Sequence, residues 1–193
     1  MITHVHNSLL DATELHKALP IVENRMQFGQ VLEQAGSKVI VLRHCSPFDF
    51  SALLEKANRR DYAVYMHIDT IDGIQADAAG LHYLAERFHI AGIISHHPKT
   101  LALGKELGLE TIQRIFAVDS SGLDSALATV EVESVDLLDI APAPVIPYLT
   151  PQQISTLPRP FIGSGLITTF TQIQAILQAG ARNVAVTRPE LWS

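Results

Sequence analysis

The sequence holds a single cysteine, Cys45, which excludes an internal disulfide framework and any multi-cysteine zinc site. It has no apolar stretch near the roughly 18 residues that a membrane span needs. Its opening segment, MITHVHNSLLDATELHK, lacks the basic region followed by an apolar one that marks a signal peptide. A basic excess is missing too, since 14 Lys and Arg stand against 20 Asp and Glu, a formal charge of −6. The basic residues are scattered, with Arg43-His44 and Arg59-Arg60 the only close pairs. No aromatic-rich RNA-recognition motif, GXXG clamp or zinc knuckle occurs. Composition by itself therefore gives no reason to propose RNA as a partner, and the plain reading is a soluble cytoplasmic domain. With 193 residues, 47% of them hydrophobic, the chain suffices for one domain with a sizeable core and is too short for two of ordinary size.

Eight short apolar runs recur along the chain: PIVE (20–23), KVIVL (38–42), AVYMHI (63–68), AGIIS (91–95), TIQRIF (111–116), VDLLDI (135–140), PFIGS (160–164) and RNVAV (182–186). Between most of them lie segments with helical spacing, such as FGQVLEQAG, FSALLEKANRR, DAAGLHYLAERF and FTQIQAILQAG. Several close on a glycine just before the next run, at Gly36, Gly108 and Gly180, as a helix C-terminus feeding a strand does. The runs are apolar throughout rather than alternating, as strands of a parallel sheet buried on both faces are. Repeated strand–helix units of this kind predict an α/β fold, and eight of them predict a compact (β/α)8 barrel of the TIM type. An open doubly wound sheet is the alternative. Only PELWS follows the last run, so the last outer helix is expected to be missing. The proline-rich connection from Ala141 to Pro158 leaves room for a short helix at most. Residues 1–18 read as an N-terminal extension and 19–193 as the barrel. The segment LLDATELHKAL is expected to close the bottom of the barrel or to lie where the last helix is absent, unless a second subunit covers that gap.

In such barrels function collects at the C-terminal ends of the strands. The strand reading places Glu23, Arg43-His44, His67 and Asp69, Ser95-His96-His97, Gln113-Arg114, Asp139, Gly163-Ser164-Gly165 and Thr187-Arg188 on that face. Each alone fits an ordinary polar strand end; together they predict a site. The turn GSG (163–165), followed by a helix expected to begin near Thr168, would direct backbone N–H groups and a helix N-terminus at one spot. That arrangement suits a phosphate, with Thr187 and Arg188 on the next strand end completing the cradle. Arg114 is expected to reach the ligand as a planar donor; the competing reading is an ion pair with Asp139 or Asp69. His67, Asp69, His96 and His97 include enough donors for a divalent metal on the rim, though sequence spacing does not fix their separation, and no metal is assigned. His4-x-His6 precedes the first run and reads as part of a terminus.

The blocks VYMHIDTIDGIQADAAGLHYL, AGIIS, LGLETIQRIFAVDSSGL and QAGARNVAVTRPELW resemble, in order and spacing, the glycerol-uptake operon antiterminator family, from about Leu19 to Trp192. The resemblance implies a regulator rather than an enzyme. Glycerol 3-phosphate would bind the barrel, and the protein would then act on leader mRNA so that transcription passes a terminator; no cofactor is implied. It matches His67 and Asp69 to a polar pair after the third strand and Gln113 and Arg114 to the fifth, with Asp119 and Ser120 in the loop that follows. Asp139 stands where the family has glutamate, Pro142 keeps a proline, and Gly165 matches the second glycine of a phosphate loop. The chain departs from the pattern at Glu23, where the family is basic, at Ser164 and Ala143, which replace glycines, at AVTR in the last strand, and at SHHPK after the fourth. The ligand is thus expected to be glycerol 3-phosphate or a relative, with a homodimer as a further expectation. An enzyme acting on a small phosphorylated or anionic substrate, with His67 or Asp69 as the acid–base group, is the competing class. A degenerate ligand-binding barrel is the third.

Overall fold

The computed structural model describes residues 8–10, 18–33 and 37–192. Eight parallel strands pair in sequence order and close on themselves. They are β1 (Ala18–Val22), β2 (Val39–Leu42), β3 (Ala63–His67), β4 (Gly92–Ser95), β5 (Glu110–Phe116), β6 (Leu137–Ala141), β7 (Phe161–Ser164) and β8 (Val184–Val186). Closure is made by β1 on β8, with Ala18 opposite Val184 and Pro20 opposite Val186. The open-sheet alternative is thereby excluded, and the strand boundaries lie within about two residues of those read from sequence. Between the strands run α1 (Arg25–Glu33), α2 (Ser51–Asn58), α3 (Ala78–Phe88), α4 (Pro98–Glu106), α5 (Ser120–Leu127), the one-turn α6 (Pro151–Ser155) and α7 (Phe170–Gln178). The proline-rich connection holds only a 3-10 stretch, Ala143–Tyr148, and α6, because each proline removes a donor from the helical ladder. Among the described residues no α-helix follows β8. A 3-10 turn at Pro189–Leu191 brings buried Trp192 against the strand, where its indole Nε1 donates to Val186 O at 2.9 Å.

Two apolar layers hold the fold. The outer layer packs the helices on the strands and includes Phe28, Leu54, Leu81, Leu101, Leu123 and Ile176. The inner layer fills the barrel with Leu19, Ile21, Val39, Val41, Ala63, Tyr65, Ile94, Ile112, Leu137 and Ala185, so the lumen is a core and not a pore. Leu9, almost fully buried, joins that inner layer, and its backbone N–H donates to the Tyr65 hydroxyl at 2.9 Å. Leu9 thus sits in the barrel's inner layer, while residues 1–7, including His4 and His6, and 11–17, most of the segment LLDATELHKAL, lie outside the described residues. Among the described residues no helix is long and apolar enough to cross a membrane.

Candidate functional site

Side chains on a strand alternate between the two faces, so the inner layer dictates which residues crown it. Two residues beyond Ile21, Val41, Tyr65, Ile112, Leu137 and Ala185 stand Glu23, Arg43, His67, Arg114, Asp139 and Thr187. Ser164 is in register with the inward Ala185 and joins them. The apolar core of the barrel therefore ends, at its C-terminal mouth, in a ring of polar and charged groups. The same alternation removes two expected members. Gln113 is in register with Leu138 of the outer layer, and its Nε2 donates to Thr129 Oγ1 at 3.0 Å behind the wall. Gly163 also faces outward. A Cβ there would stand 2.8 Å from Ile146 Cδ1 and 2.9 Å from Ala143 Cβ, so this glycine serves close packing of the outer layer.

Within the ring, Arg114 and Asp139 are direct cross-strand partners. Arg114 Nη1 donates to Asp139 Oδ2 at 3.0 Å and lies 3.4 Å from His67 Nε2. The pair is nearly dry, with side-chain exposures of 11% for Arg114 and 2% for Asp139. Burial pushes the Asp139 carboxyl pKa up, and the Arg114 guanidinium pulls against that shift. Burial and the same guanidinium push His67 down to about 4, so its imidazole is neutral near pH 7. His67 Nδ1, Asp139 Oδ1 and Ser164 Oγ are buried and lack a well-aligned hydrogen-bond partner, although the Ser164 hydroxyl is near enough to Asp139 to help lower its pKa. Such atoms are costly unless something polar reaches them. The ion pair that sequence reasoning set against ligand contact for Arg114 is thus present, and Arg114 still borders the Gly163–Gly165 turn, its Nη2 lying 3.9 Å from where a Gly165 Cβ would stand.

Beside this cluster a cavity of about 220 Å³ opens between the ends of β7, β8, β1 and β2. Its walls include Gly165, Ile167, Thr168, Thr187, Arg188 and Arg43. Gly165 takes φ +80 and Leu166 φ +57, so two successive left-handed residues turn the chain sharply out of β7. The following helix starts at Phe170, two residues later than expected, with Thr169 as N-cap. Its capping box already uses the leading donors: the N–H groups of Thr168 and Thr169 donate to Gln172 Oε1 at 2.7 and 3.2 Å. The helix dipole still points at the mouth, but these two amides are not free for a ligand. Arg188 reaches Glu190 at 3.3 Å on the surface.

Arg43 is the residue the sequence reading noted at a strand end but did not select. Its Nε and Nη2 donate to Glu23 Oε1 at 2.9 and 2.6 Å, and its charge also lowers the His67 and Asp139 pKa values, linking the cavity to the buried cluster. The signal was the inward period-two phase of Val39, Val41 and Arg43. It also explains the reversed charge at Glu23, which acquires a cationic partner one strand away. Asp69 lies apart from the cavity, on the rim over β3 and β4. Ser95 Oγ donates to its Oδ1 at 2.7 Å, His96 N donates to Oδ2 at 2.9 Å, and His96 Nδ1 is 2.6 Å from Oδ2. Burial works against the Asp69 carboxylate, but these hydrogen bonds outweigh it and hold its pKa below the ordinary value. Asp119 caps α5, accepting from Gly122 N at 2.6 Å.

The architecture and its charged crown define the class: a (β/α)8 barrel whose polar groups converge at the C-terminal mouth. Within that class the chain belongs to the glycerol-3-phosphate responsive antiterminator family, whose model matches residues 18–192, so the resemblance read from the motifs is borne out. A comparison with curated proteins gave no match. Among solved structures the chain is similar to a glycerol uptake operon antiterminator regulatory protein from Listeria monocytogenes, at 24% identity and a TM-score of 0.83, covering 93% of this chain and 96% of that one. It is also similar to a glycerol uptake operon antiterminator-related protein from Thermotoga maritima, at 20% identity and a TM-score of 0.78, covering 93% and 99%. An N-acetylmannosamine-6-phosphate 2-epimerase from Clostridium perfringens shares the barrel at 14% identity and a TM-score of 0.68, covering 97% and 94%.

Proposed function

We propose that this chain is a cytoplasmic sensor of glycerol 3-phosphate, or of a closely related small polyol phosphate, that regulates transcription antitermination on leader mRNA. The observation that carries the ligand half is the cavity at the ends of β7 and β8, where the Gly165 turn faces Thr187 and two arginines, Arg43 and Arg188. A phosphate there meets backbone, hydroxyl and guanidinium donors together. The polyol end would extend toward Arg114, His67 and Ser164, where the buried His67 Nδ1 and Ser164 Oγ can take hydroxyl hydrogen bonds. Asp69, on the rim over β3 and β4 and not among the residues that wall the cavity, stays outside this reading of the ligand site.

The RNA step rests on family membership, because the −6 charge favours no broad nucleic-acid face. Self-association is supported by the end of β5 and the loops after β5, β6 and β7, which expose Phe116, Val118, Tyr148 and Leu166. Two assays test the reading. Glycerol 3-phosphate should raise the melting temperature while glycerol does not, and it should increase terminator read-through in a reconstituted transcription reaction containing the protein. A thermal shift without any effect on read-through would keep the ligand and remove the regulatory role. Turnover of the ligand would move the protein to the enzymes.

A further inference from the structure

We infer that Asp69, His96 and His97 form a binding site for a divalent transition metal of the zinc class, on the rim of the barrel over β3 and β4. One donor atom from each of the three side chains lies within 4.8 Å of the others. Two imidazoles and one carboxylate are the donor set that Zn²⁺ and its first-row neighbours take, leaving further positions open to solvent. Around a tetrahedral ion with bonds of about 2.0–2.1 Å the donors would stand about 3.3 Å apart, so closing the set requires only side-chain rotation. His96 and His97 are exposed and have that freedom.

The support behind the donors is more organised than an ordinary rim ion pair requires. His96 and His97 are consecutive, yet their ring centroids are 3.8 Å apart, so both side chains turn to the same side. A hydrogen bond to Asp69 accounts for His96 alone, and among the described residues none holds the His97 ring. Ser95, fully buried at the end of β4, braces the whole group: its hydroxyl donates to Asp69 Oδ1 at 2.7 Å and accepts from His97 N at 3.0 Å. Carboxylate ligands held by such an outer layer are typical of metal sites, where the outer partner tunes affinity. His67, the fourth donor considered from sequence, is turned instead into the mouth beside Arg114. The site lies across the mouth from the cavity walled by β7, β8, β1 and β2, and it does not depend on the ligand proposed there.

The test is titration of the untagged 193-residue chain with ZnCl₂ in phosphate-free buffer, followed by calorimetry. The expected result is one zinc ion per chain, lost in His96→Ala and in His97→Ala and weakened about tenfold or more in Ser95→Ala. MgCl₂ should not compete, because imidazole donors do not suit it. Each variant's melting curve without metal checks that it is folded. Unfolding would be answered by the milder His96→Gln and His97→Gln. A His4→Asn/His6→Asn double variant should bind as the wild type does. Absence of zinc binding at millimolar metal, or binding that survives both rim substitutions and vanishes in the N-terminal double variant, overturns the inference.

Discussion

Replacing Arg114 with alanine removes what is, among the described residues, the only cation within hydrogen-bond reach of Asp139, a residue 1% exposed with one oxygen already poorly partnered. Two routes give the cost. If Asp139 stays ionised, a buried charge has lost its counter-ion, worth about 3–5 kcal/mol. If it takes up a proton instead, the fold must bear the cost of neutralising a carboxylic acid roughly three pH units above its ordinary titration range, about 4 kcal/mol at about 1.4 kcal/mol per unit. Both routes predict that Arg114→Ala destabilises the unliganded protein by about 4 kcal/mol near neutral pH. The penalty must depend on pH. In the variant the folded carboxyl has a raised pKa, so the unfolded chain ionises first and stability is lost as pH rises above the unfolded value. The gap between variant and wild type therefore narrows as pH falls toward the unfolded pKa. Denaturant unfolding across acidic to neutral pH measures it, with Asp139→Asn and the double variant completing a cycle. The double variant should recover most of the loss, because the lone charge is gone. A cost below about 1 kcal/mol, or equal costs with and without Asp139, would refute the argument that the pair is dry and mutually dependent.

Three further outcomes follow from the packing. Gly163→Ala places a methyl 2.8 Å from Ile146 Cδ1 and should cost about 1–3 kcal/mol by overpacking, read by denaturant midpoint. Leu9→Ala opens the bottom of the inner layer and should cost about 2–5 kcal/mol in the same assay. Burial, reinforced by Asp72, Asp49 and Glu23, pushes the Cys45 thiol up to about 12, so a thiol-titrating reagent should find no reactive group near neutral pH until denaturant is added.

The barrel was legible because a parallel strand buried on both faces leaves an apolar run that flanking helices and glycines punctuate; KVIVL and AVYMHI needed no context to be read. The site was less so. The runs located strand ends, but which residue of each end faces the axis depends on register, and a shift of one residue sends a side chain to the other face. Gln113 and Arg114 are neighbours in sequence, and only the second faces the mouth. Gly163 and Gly165 look alike in FIGSG; one packs against Ile146, and the other turns the chain at φ +80 beside the cavity. Arg43 was noted but not selected because its meaning comes from Glu23, twenty residues earlier, joined to it by the pairing of β1 with β2. The spacing of Asp69 from His96 and His97 likewise depended on the β3–β4 connection, which brings a carboxylate and two imidazoles onto one side of the rim.

Calorimetric titration of the wild-type protein and of Gly165→Val with glycerol 3-phosphate, using glycerol and inorganic phosphate as reference ligands, decides whether the cavity beside β7 and β8 holds a polyol phosphate. Gly165 lies at φ +80 on the cavity wall, and a side chain there would approach Arg114 Nη2, starting from a Cβ at 3.9 Å. The account predicts that glycerol 3-phosphate binds the wild type more tightly than about millimolar. It also predicts that glycerol binds undetectably and that the folded valine variant loses the phosphate ligand. Binding that persists in Gly165→Val, or a wild type that ignores every small polyol phosphate, would contradict it.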